Sequence, residues 1–352
     1  MCSVENKDIF AALPGVLLPW YEENKRDLPW RQDKDPYHIW LSEVMLQQTR
    51  VEAVKGYYAR FLQVLPTLHE LADADDELLH KLWEGLGYYS RVRNLKKAAR
   101  QIVENHGGIF PRQYRDVLAL SGVGEYTAGA ICSIAFDQPV PAVDGNVLRV
   151  VSRLTDDANP IDLPAFKKQT AESLQAVYPA QAGAFTQALM ELGATVCGPN
   201  RKPDCGNCPC KDLCKGYQND TAGNLPVKSP KRQRRQEDRT VFILSCEGKY
   251  ALEKRPSTGL LADLWQFPNV EGRLSAKEAI LKVEEYGAKV KDIYRQVEKK
   301  HIFTHIQWNM NGVYMEIKEP LPDYTWMTAE RIEAEAALPT AFRQFWEDMD
   351  RV

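Results

Sequence analysis

The stretch VLALSGVGEYTAGAICSIAF, residues 117–136, decides the fold of the first part of the chain. Two apolar segments flank the turn Gly122-Val123-Gly124, where the glycines allow the chain to double back. The second segment then begins with backbone N–H groups that have no partner within the helix, and such groups can bind a phosphate. A hairpin of this kind contacts the DNA backbone without reading sequence. The turn predicts a helix-hairpin-helix, although other helical hairpins also use two glycines.

Residues 8–215 around this hairpin have a helical pattern throughout. Their apolar residues recur at intervals of three and four, and Pro or Gly residues mark the breaks. The texture changes after Arg239. TVFILSCEGKYALEKR (240–255) predicts two strands around a Glu247-Gly248 turn, and HIFTHIQWNMNGVYMEI (301–317) predicts further strands. SAKEAILKVEEYG (275–287) predicts an amphipathic helix, and another helix from about Ala329 closes the chain. The sequence thus predicts a multi-domain protein with an all-α domain (1–216), a linker (217–238) and an α/β domain (239–352).

Composition and charge limit the classes of function. The 352 residues are 44% apolar and 26% charged, as in ordinary soluble proteins. No apolar run approaches the roughly 18 residues of a membrane span, and MCSVENKDIF at the N-terminus is unlike an export signal. We therefore expect a cytoplasmic protein with no membrane partner. The formal net charge of −3 means that any binding to nucleic acid depends on local patches or helix N-termini.

The predicted linker contains such a patch. LPVKSPKRQRRQEDR (225–239) has six Lys and Arg residues against two acids. This composition indicates an extended connector. A purely solvated segment and a contact with DNA or a partner protein both fit it.

Five of the eight cysteines lie in CGPNRKPDCGNCPCKDLC, residues 197–214. In a reducing compartment, clustered thiols bind metal more often than they form disulfides. Only Cys205 and Cys208 form a C-x2-C pair, whereas structural zinc sites usually bring two such pairs. One loop that supplies four thiolates favours an iron–sulfur cluster over zinc. Cys210 is the fifth thiol, and we expect it to be spare.

Two carboxyl groups have surroundings that suit acid–base chemistry. In PYHIWLSEVMLQQTR (36–50), a helix would place Glu43 beside Ile39, Trp40 and Leu46. Such burial would raise the pKa of Glu43 and suit a general acid, although an exposed glutamate is the alternative. In PAVDGNVLRVVSRL (141–154), Asp144 precedes an amphipathic helix. It could be a simple N-cap, or an ionised carboxylate that faces a developing positive charge.

Taken in order, the glycine hairpin, the V-D-G-N sequence at 143–146 and the cysteine loop resemble the endonuclease III superfamily of DNA glycosylases. LPWR (28–31), WLSEVMLQQT (40–49) and GLGYYSRVRNL (85–95) narrow the resemblance to the MutY-type adenine DNA glycosylases. It covers nearly the whole chain. The resemblance implies that the protein removes adenine mispaired with 8-oxoguanine or guanine from double-stranded DNA, as base-excision repair, and leaves an abasic site.

The resemblance also implies roles for individual residues. Glu43 would protonate the adenine leaving group, and Asp144 would stabilise the sugar cation or the covalent intermediate formed from it. Tyr126 and Asn146 match positions that support the sugar intermediate. The positions implied for contacts with DNA and the extruded base are Gly122 and Gly124 of the hairpin, Arg31 and Gln187 of the adenine pocket, and Gln48 and Tyr88, which would enter the duplex at the lesion.

Three details qualify this picture. Cys197, Cys205, Cys208 and Cys214 would hold one 4Fe-4S cluster, but seven residues separate the first two where the family usually has six, so the loop would have to bulge. The hairpin begins with Ser121 where proline is common, a change that the turn should tolerate. Relatives that cleave the DNA strand have a lysine at the position of Tyr126. Because a phenol cannot form a Schiff base, we predict a monofunctional glycosylase.

The α/β domain resembles the Nudix fold of 8-oxo-dGTP hydrolases. Hydrolysis there needs an Arg-Glu pair ahead of a second Glu pair. Glu284 and Glu285 are present, but Ile280 and Leu281 stand in place of the first pair. We therefore predict recognition without hydrolysis. Phe303, Thr304 and His305 match the family's loop that senses 8-oxoguanine.

Three other hypotheses compete with this one. A catalytically silent DNA-binding protein would not need Glu43 and Asp144. A Nudix-type nucleotide hydrolase would need the missing Arg-Glu pair. A bifunctional lyase for oxidised pyrimidines is opposed by Tyr126. With the first hypothesis we expect a monomer, associated with the bacterial nucleoid through DNA, whose linker contacts replication or repair proteins.

Overall fold

The computed structural model of the protein describes residues 4–199, 202–230 and 233–349. The chain divides into two compact units, one of Met1–Asp73 with Asn94–Lys231 and one of Ala74–Arg93 with Arg232–Val352. The first is helical and the second contains a sheet, which confirms the predicted fold class. Among the described residues, no helix combines the length and apolar character that crossing a membrane requires.

The helices of both units are numbered in chain order. In order they are α1 (Val4–Asn24), α2 (Pro36–Leu46), α3 (Val51–Val64), α4 (Leu68–Asp73), α5 (Asp76–Leu82), α6 (Ser90–His106), α7 (Tyr114–Leu118), α8 (Glu125–Phe136), α9 (Gly145–Thr155), α10 (Pro164–Gln175), α11 (Ala182–Thr195), α12 (Lys215–Gln218), α13 (Ala276–Glu285), α14 (Ala329–Glu335) and α15 (Thr340–Trp346).

The core of the first unit forms where α11 packs against α1, α8 and α9. Leu13, Leu17 and Phe185 are fully buried there. Cys210 and Cys214 belong to the same core, so the cysteine loop closes over the apolar ends of these helices. The hairpin between α7 and α8 turns at Gly122, whose φ is +74° and whose added Cβ would lie 2.6 Å from the Cβ of Asn94. Both constraints require glycine at this position.

The second unit is built on a mixed sheet. Its strands are β1 (Arg235–Cys246), β2 (Lys249–Lys254), β3 (Trp265–Gln266), β4 (Asn269–Glu271), β5 (Val290–Ile302), β6 (Ile306–Ile317) and β7 (Thr325–Thr328). The main order is β3-β2-β1-β6-β5, with β4 paired to β1 and β7 paired to β2. β1 and β6 are parallel, and their register sets Val241 opposite Gly312.

Both faces of this sheet are buried, so successive residues of β1 serve different cores. Val241 and Ile243 pack with α15, whereas Phe242 and Leu244 pack with α13. This layering explains why the centre of β1 is an unbroken apolar run. The α13 helix begins with the capping box Ser275–Glu278, which confirms the helix predicted at 275–287.

Several boundaries differ from the prediction. The β5 strand begins at Val290, before the predicted strand region. The closing helix from Ala329 is interrupted, because Pro339 lacks the N–H that would continue it and instead precedes the new helix α15.

The predicted helical domain ran through residue 216 without interruption, but the structure places Ala74–Arg93 in the second unit. There the Glu77 carboxylate accepts a hydrogen bond from Trp265 Nε1 at 3.0 Å, and Glu84 accepts one from the backbone N–H of Leu338 at 3.0 Å. Part of the predicted linker is also bound to the first unit by hydrogen bonds. Leu225, for example, accepts a hydrogen bond from Arg153 in the first unit, and the Ser229 N–H donates to Asp162.

Candidate active site

Glu43 lies near the end of α2, in a buried position. The helix starts at Pro36 after Asp35, whose side chain accepts a hydrogen bond from the backbone N–H of Tyr37. Glu43 is only 6% exposed, and its neighbours Ile39 and Trp40 are buried too. The alternative of an ordinary exposed glutamate is therefore wrong.

The hairpin brings a second group to Glu43. Tyr126 is the second residue of α8, directly after the turn, and its hydroxyl donates a hydrogen bond to Oε2 of Glu43. Burial is the main reason that the pKa of Glu43 rises to about 7, and Asp144 adds to the rise. The Tyr126 hydrogen bond and Arg31 act in the opposite direction. Near neutral pH the Glu43 side chain can therefore hold a proton or release it.

Asp144 is the N-cap of α9, and its carboxylate is held from two sides. Oδ1 accepts the backbone N–H of Val147 at 2.8 Å, and Oδ2 accepts Nδ2 of Asn146 at 2.6 Å. Burial raises the pKa of Asp144, while these hydrogen bonds and Arg149 lower it. The net direction is upward, because burial outweighs the hydrogen bonds at the helix N-terminus.

Arg149, which the sequence analysis did not single out, fixes Asn146. Its Nη2 donates to Oδ1 of Asn146 at 2.8 Å and to the carbonyl of Gly193 at 2.7 Å, and its Nε donates to the carbonyl of Cys197 at 2.8 Å. The backbone can approach this closely because Gly193 has no Cβ; an added one would lie 2.6 Å from the Cβ of Asn146. The orientation of Asp144 is thus connected through two side chains to the start of the cysteine loop.

Glu43, Tyr126, Asp144 and Asn146 line one open cleft of ≈ 1930 Å³ in the first unit. The predicted residues that the cleft brings together are Arg31, Glu43, Gln48, Gly124, Tyr126, Asp144, Asn146 and Gln187. Gly122 shapes the hairpin and is not among the lining residues. Gln48 has a left-handed backbone conformation, with φ of +60°.

Glu191 also lines the cleft and was missed in the sequence analysis. Its side chain is fully buried and pairs with Arg26 and Arg31. The signal that could have found it is the single acid within the apolar run ALMELG of α11. A charge in such a position needs a partner of opposite sign.

Comparisons with known proteins agree with this geometry. A family model described as HhH-GPD superfamily base excision DNA repair protein matches residues 41–175, and a NUDIX domain model matches residues 240–348. The adenine DNA glycosylase of Rattus norvegicus is 37% identical, over 93% of this chain and 76% of its own length. That of Homo sapiens is 36% identical, over 95% of this chain and 73% of its own length.

The chain belongs to the adenine DNA glycosylase family. It is therefore an enzyme of base-excision repair, a DNA glycosylase that acts on adenine. Among solved structures, a thermostable thymine-DNA glycosylase has a TM-score of 0.55 at 28% identity, over 62% of this chain and 100% of that one. An endonuclease III–DNA complex, with a TM-score of 0.51 at 22% identity over 60% of this chain and 96% of that one, shares the fold.

The cysteine loop of this glycosylase gathers its thiols around a second, small cavity of ≈ 20 Å³. Cys197, Cys205, Cys208, Cys210 and Cys214 all line it. Arg153 Nη1 donates to Sγ of Cys197 at 3.1 Å, so a cation faces the thiols. The expected bulge between Cys197 and Cys205 includes Asn200 and Arg201, which lie outside the described residues. Within the described part of the chain, no three His, Cys, Asp or Glu side chains form a group able to hold a single metal ion.

Cys210, which we predicted to be the thiol that is not a cluster ligand, also lies beside this cavity. It is fully buried and lines the same cavity as the four predicted ligands. It also shares a side-chain hydrogen bond with Cys208.

The remaining predicted residues lie in the second unit. Phe303, Thr304 and His305 form the loop between β5 and β6, where Thr304 and His305 are exposed. The Phe303 ring packs edge-on against Trp308, with centroids 4.8 Å apart, and this contact anchors the loop to β6. Tyr88 has a left-handed backbone conformation, is 48% exposed, and shares a hydrogen bond of 3.1 Å with the Thr304 hydroxyl.

Proposed function

We propose that the glycosylase hydrolyses the N-glycosidic bond of adenine mispaired with 8-oxoguanine or guanine, and leaves an abasic site without cutting the strand. The observation that supports it is the meeting of Glu43, Tyr126 and Asp144 in one cleft. Two carboxyl groups with separate roles are what cleavage of a glycosidic bond requires.

Glu43 supplies the proton. Adenine is a poor leaving group until a ring nitrogen is protonated, and a carboxyl with a pKa of about 7 is half protonated at neutral pH. The Tyr126 hydroxyl holds Oε2 of this carboxyl, which leaves the other oxygen to face the base.

Asp144 stabilises the sugar as its positive charge develops. Its two oxygens are already fixed by Val147 and Asn146, so the carboxylate needs little reorganisation when the bond breaks. Burial disfavours the ionised form of Asp144 before the reaction. A cation beside it favours that form, so its charge is best stabilised in the transition state.

The adenine must leave the duplex to reach Glu43. Extrusion costs a few kcal/mol and is cheapest at a mispair. Arg31 and Gln187 line the cleft where the extruded base would lie, and Gln48, which also lines it, would enter the duplex. Tyr88, exposed in the second unit, is the other candidate to fill the gap.

Recognition of 8-oxoguanine belongs to the second unit in this proposal. Thr304 and His305 are exposed on a short loop and offer a hydroxyl and an imidazole as hydrogen-bonding groups. Nucleotide hydrolysis is not part of the proposal, because Ile280 and Leu281 replace two polar groups of the metal-binding box.

We also propose one 4Fe-4S cluster held by Cys197, Cys205, Cys208 and Cys214. The donor chemistry fits, because thiolates are the ligands of such clusters and all four line one cavity beside Arg153. When bound, the cluster would fix the loop that packs on α9 and α11. Iron content and brown colour should be lost in Cys208→Ser, whereas stoichiometric zinc in the wild type would overturn this assignment.

One assay tests the proposed reaction. Duplexes that contain adenine opposite 8-oxoguanine are incubated with the protein, and strand breaks are measured with and without alkali. Breaks that appear only after alkali support base release by a monofunctional glycosylase. Breaks without alkali would indicate a lyase, and no base release from any duplex would indicate a silent DNA-binding protein. Tyr126→Lys, with borohydride trapping, tests whether a lysine at this position forms a Schiff base with the sugar.

A further inference from the structure

Glu191 is a fully buried carboxylate that binds two arginines. It accepts hydrogen bonds from Nε and Nη2 of Arg26 at 2.6 and 3.1 Å, and from the Arg26 backbone N–H at 3.2 Å. It also accepts one from Nη2 of Arg31 at 2.8 Å. Burial raises the pKa of Glu191, but the two arginines outweigh it and the net pKa is lowered, so the group is ionised.

The Arg31 side chain is held on three sides. Besides Glu191, its Nη1 donates to the carbonyl of Arg26 at 3.1 Å, and its guanidinium lies 5.6 Å from the centroid of the Tyr21 ring. A guanidinium has five N–H donors. Within the described residues, the hydrogen bonds to Glu191 and Arg26 are the ones that Arg31 makes, and the other donors remain for a ligand in the cleft.

Gln187 and Glu191 are four residues apart on α11, so they lie on the same face of the helix. Both line the cleft. The helix that carries the Gln187 amide therefore also carries the carboxylate that holds Arg31. One cleft thus contains an amide and a guanidinium, two groups that recognise planar bases by paired hydrogen bonds.

We propose that Glu191 is a positioning residue for base selection: it fixes Arg31 relative to Gln187 so that the two side chains together select adenine. This inference rests on the proposed function and adds to it the source of the discrimination among extruded bases. Glu191 touches neither the base nor the sugar in this scheme.

A purely structural role for Glu191 would predict a different outcome. The carboxylate ties the 26–31 segment to α11, so its loss could simply loosen the first unit. Loosening would slow the reaction of every base alike. A positioning role would instead lower the preference for adenine over a purine that lacks the 6-amino group.

The test compares Glu191→Gln with the wild type on two duplexes, one with adenine and one with unsubstituted purine opposite 8-oxoguanine. Single-turnover rates give the ratio of the two substrates. We expect the adenine rate to fall about 10- to 100-fold and the preference ratio to fall about tenfold. Glu22→Gln is the charge-matched control, because Glu22 is an exposed glutamate of α1 that pairs with Lys25. It should leave the adenine rate and the preference ratio within about twofold of the wild type.

A double-mutant cycle with Arg31→Gln gives the decisive measurement. If Glu191 acts through Arg31, the Glu191→Gln change should alter the preference ratio by less than about twofold once Arg31 is replaced. Full additivity, or an unchanged ratio in the single variant, would overturn the proposal. If Glu191→Gln does not fold, Glu191→Asp keeps the charge and withdraws it by one methylene, and an unchanged ratio there would likewise overturn it.

Failure of the wild type is a separate outcome. If the wild-type protein releases no adenine from either duplex, the proposed function is wrong and this inference falls with it. If the wild type is active and the variants keep its base preference, the proposed function stands and the role of Glu191 alone is rejected.

Discussion

Glu43 in α2 and Glu284 in α13 carry the same functional group in opposite surroundings. Glu43 is almost fully buried, accepts a hydrogen bond from Tyr126 and has a pKa raised to about 7. Glu284 is exposed near the end of α13, and its neighbour Glu285 pairs with the half-buried Lys282 at 2.7 Å. Under the proposed function, the first unit thus supplies the desolvation that an acid catalyst needs. For the second unit we predict the opposite, a helix with two exposed acids and without the other ligands of a catalytic metal.

The largest effect should come from removing the acid in the first unit. Glu43→Gln keeps the size of the side chain but cannot donate the proton, so adenine release should fall by about 10²–10⁴-fold while binding to the lesion duplex persists. Single-turnover kinetics and a binding titration measure the two quantities. Glu172→Gln is a suitable control, because Glu172 lines the same cleft and is exposed. Turnover near the wild-type rate would remove Glu43 as the acid.

The second unit should affect selection of the lesion and leave the chemistry unchanged. Replacing Thr304 and His305 together with alanine removes the two exposed polar groups of the loop. The preference for 8-oxoguanine over guanine opposite adenine should fall about tenfold, which corresponds to about 1.4 kcal/mol, the scale of one hydrogen bond. The rate at saturating enzyme on the preferred duplex should change far less. An unchanged preference would mean that recognition lies elsewhere.

Some functional residues could be predicted from the sequence and others could not, for physical reasons. A local pattern indicates Glu43, Asp144 and the cysteines, because the neighbours that reveal them lie close by in the sequence. The contacts of Glu191 and Arg149 are different: each joins segments more than 40 residues apart, and a local pattern shows only that a charge lies in an apolar helix.

The second unit gives a further example of the same limit. Glu77 and Glu84 hold residues 74–93 against strands and loops that follow them by more than 150 positions. The raised pKa of Asp144 is a related case. Burial in a cleft built from several helices outweighs the local N-cap hydrogen bond, and a local pattern contains only the latter.

A smaller effect should appear in the pH dependence of the rate of adenine release, which the first unit sets. In the proposed reaction adenine release needs protonated Glu43, so the rate should fall about tenfold per pH unit above the pKa of about 7. The Tyr126 hydrogen bond favours the charged form of Glu43 and lowers its pKa. Tyr126→Phe should therefore shift the fall in rate at alkaline pH, the alkaline limb of the profile, to higher pH, whether or not the maximal rate also drops.

The matched control for this profile is Tyr114→Phe, since Tyr114 is another phenol that lines the cleft. Its removal should leave the alkaline limb where it is in the wild type. A limb that stays in place in Tyr126→Phe, or moves to lower pH, would show that a group other than Glu43 sets the profile.

The smallest effect should come from the acids of the second unit. Glu284 and Glu285 are exposed. Under the proposed function, Ile280 and Leu281 replace the other ligands that a catalytic metal would need. Glu284→Gln with Glu285→Gln should therefore change adenine release by less than about twofold, as expected for surface substitutions. With Mg²⁺ and 8-oxo-dGTP, neither the wild type nor the variant should release pyrophosphate. Hydrolysis by the wild type that disappears in the variant would show that exposed carboxylates suffice for a metal site. The difference between Glu43 and Glu284 would then lie in the substrate on which each acts, and not in how deeply each is buried.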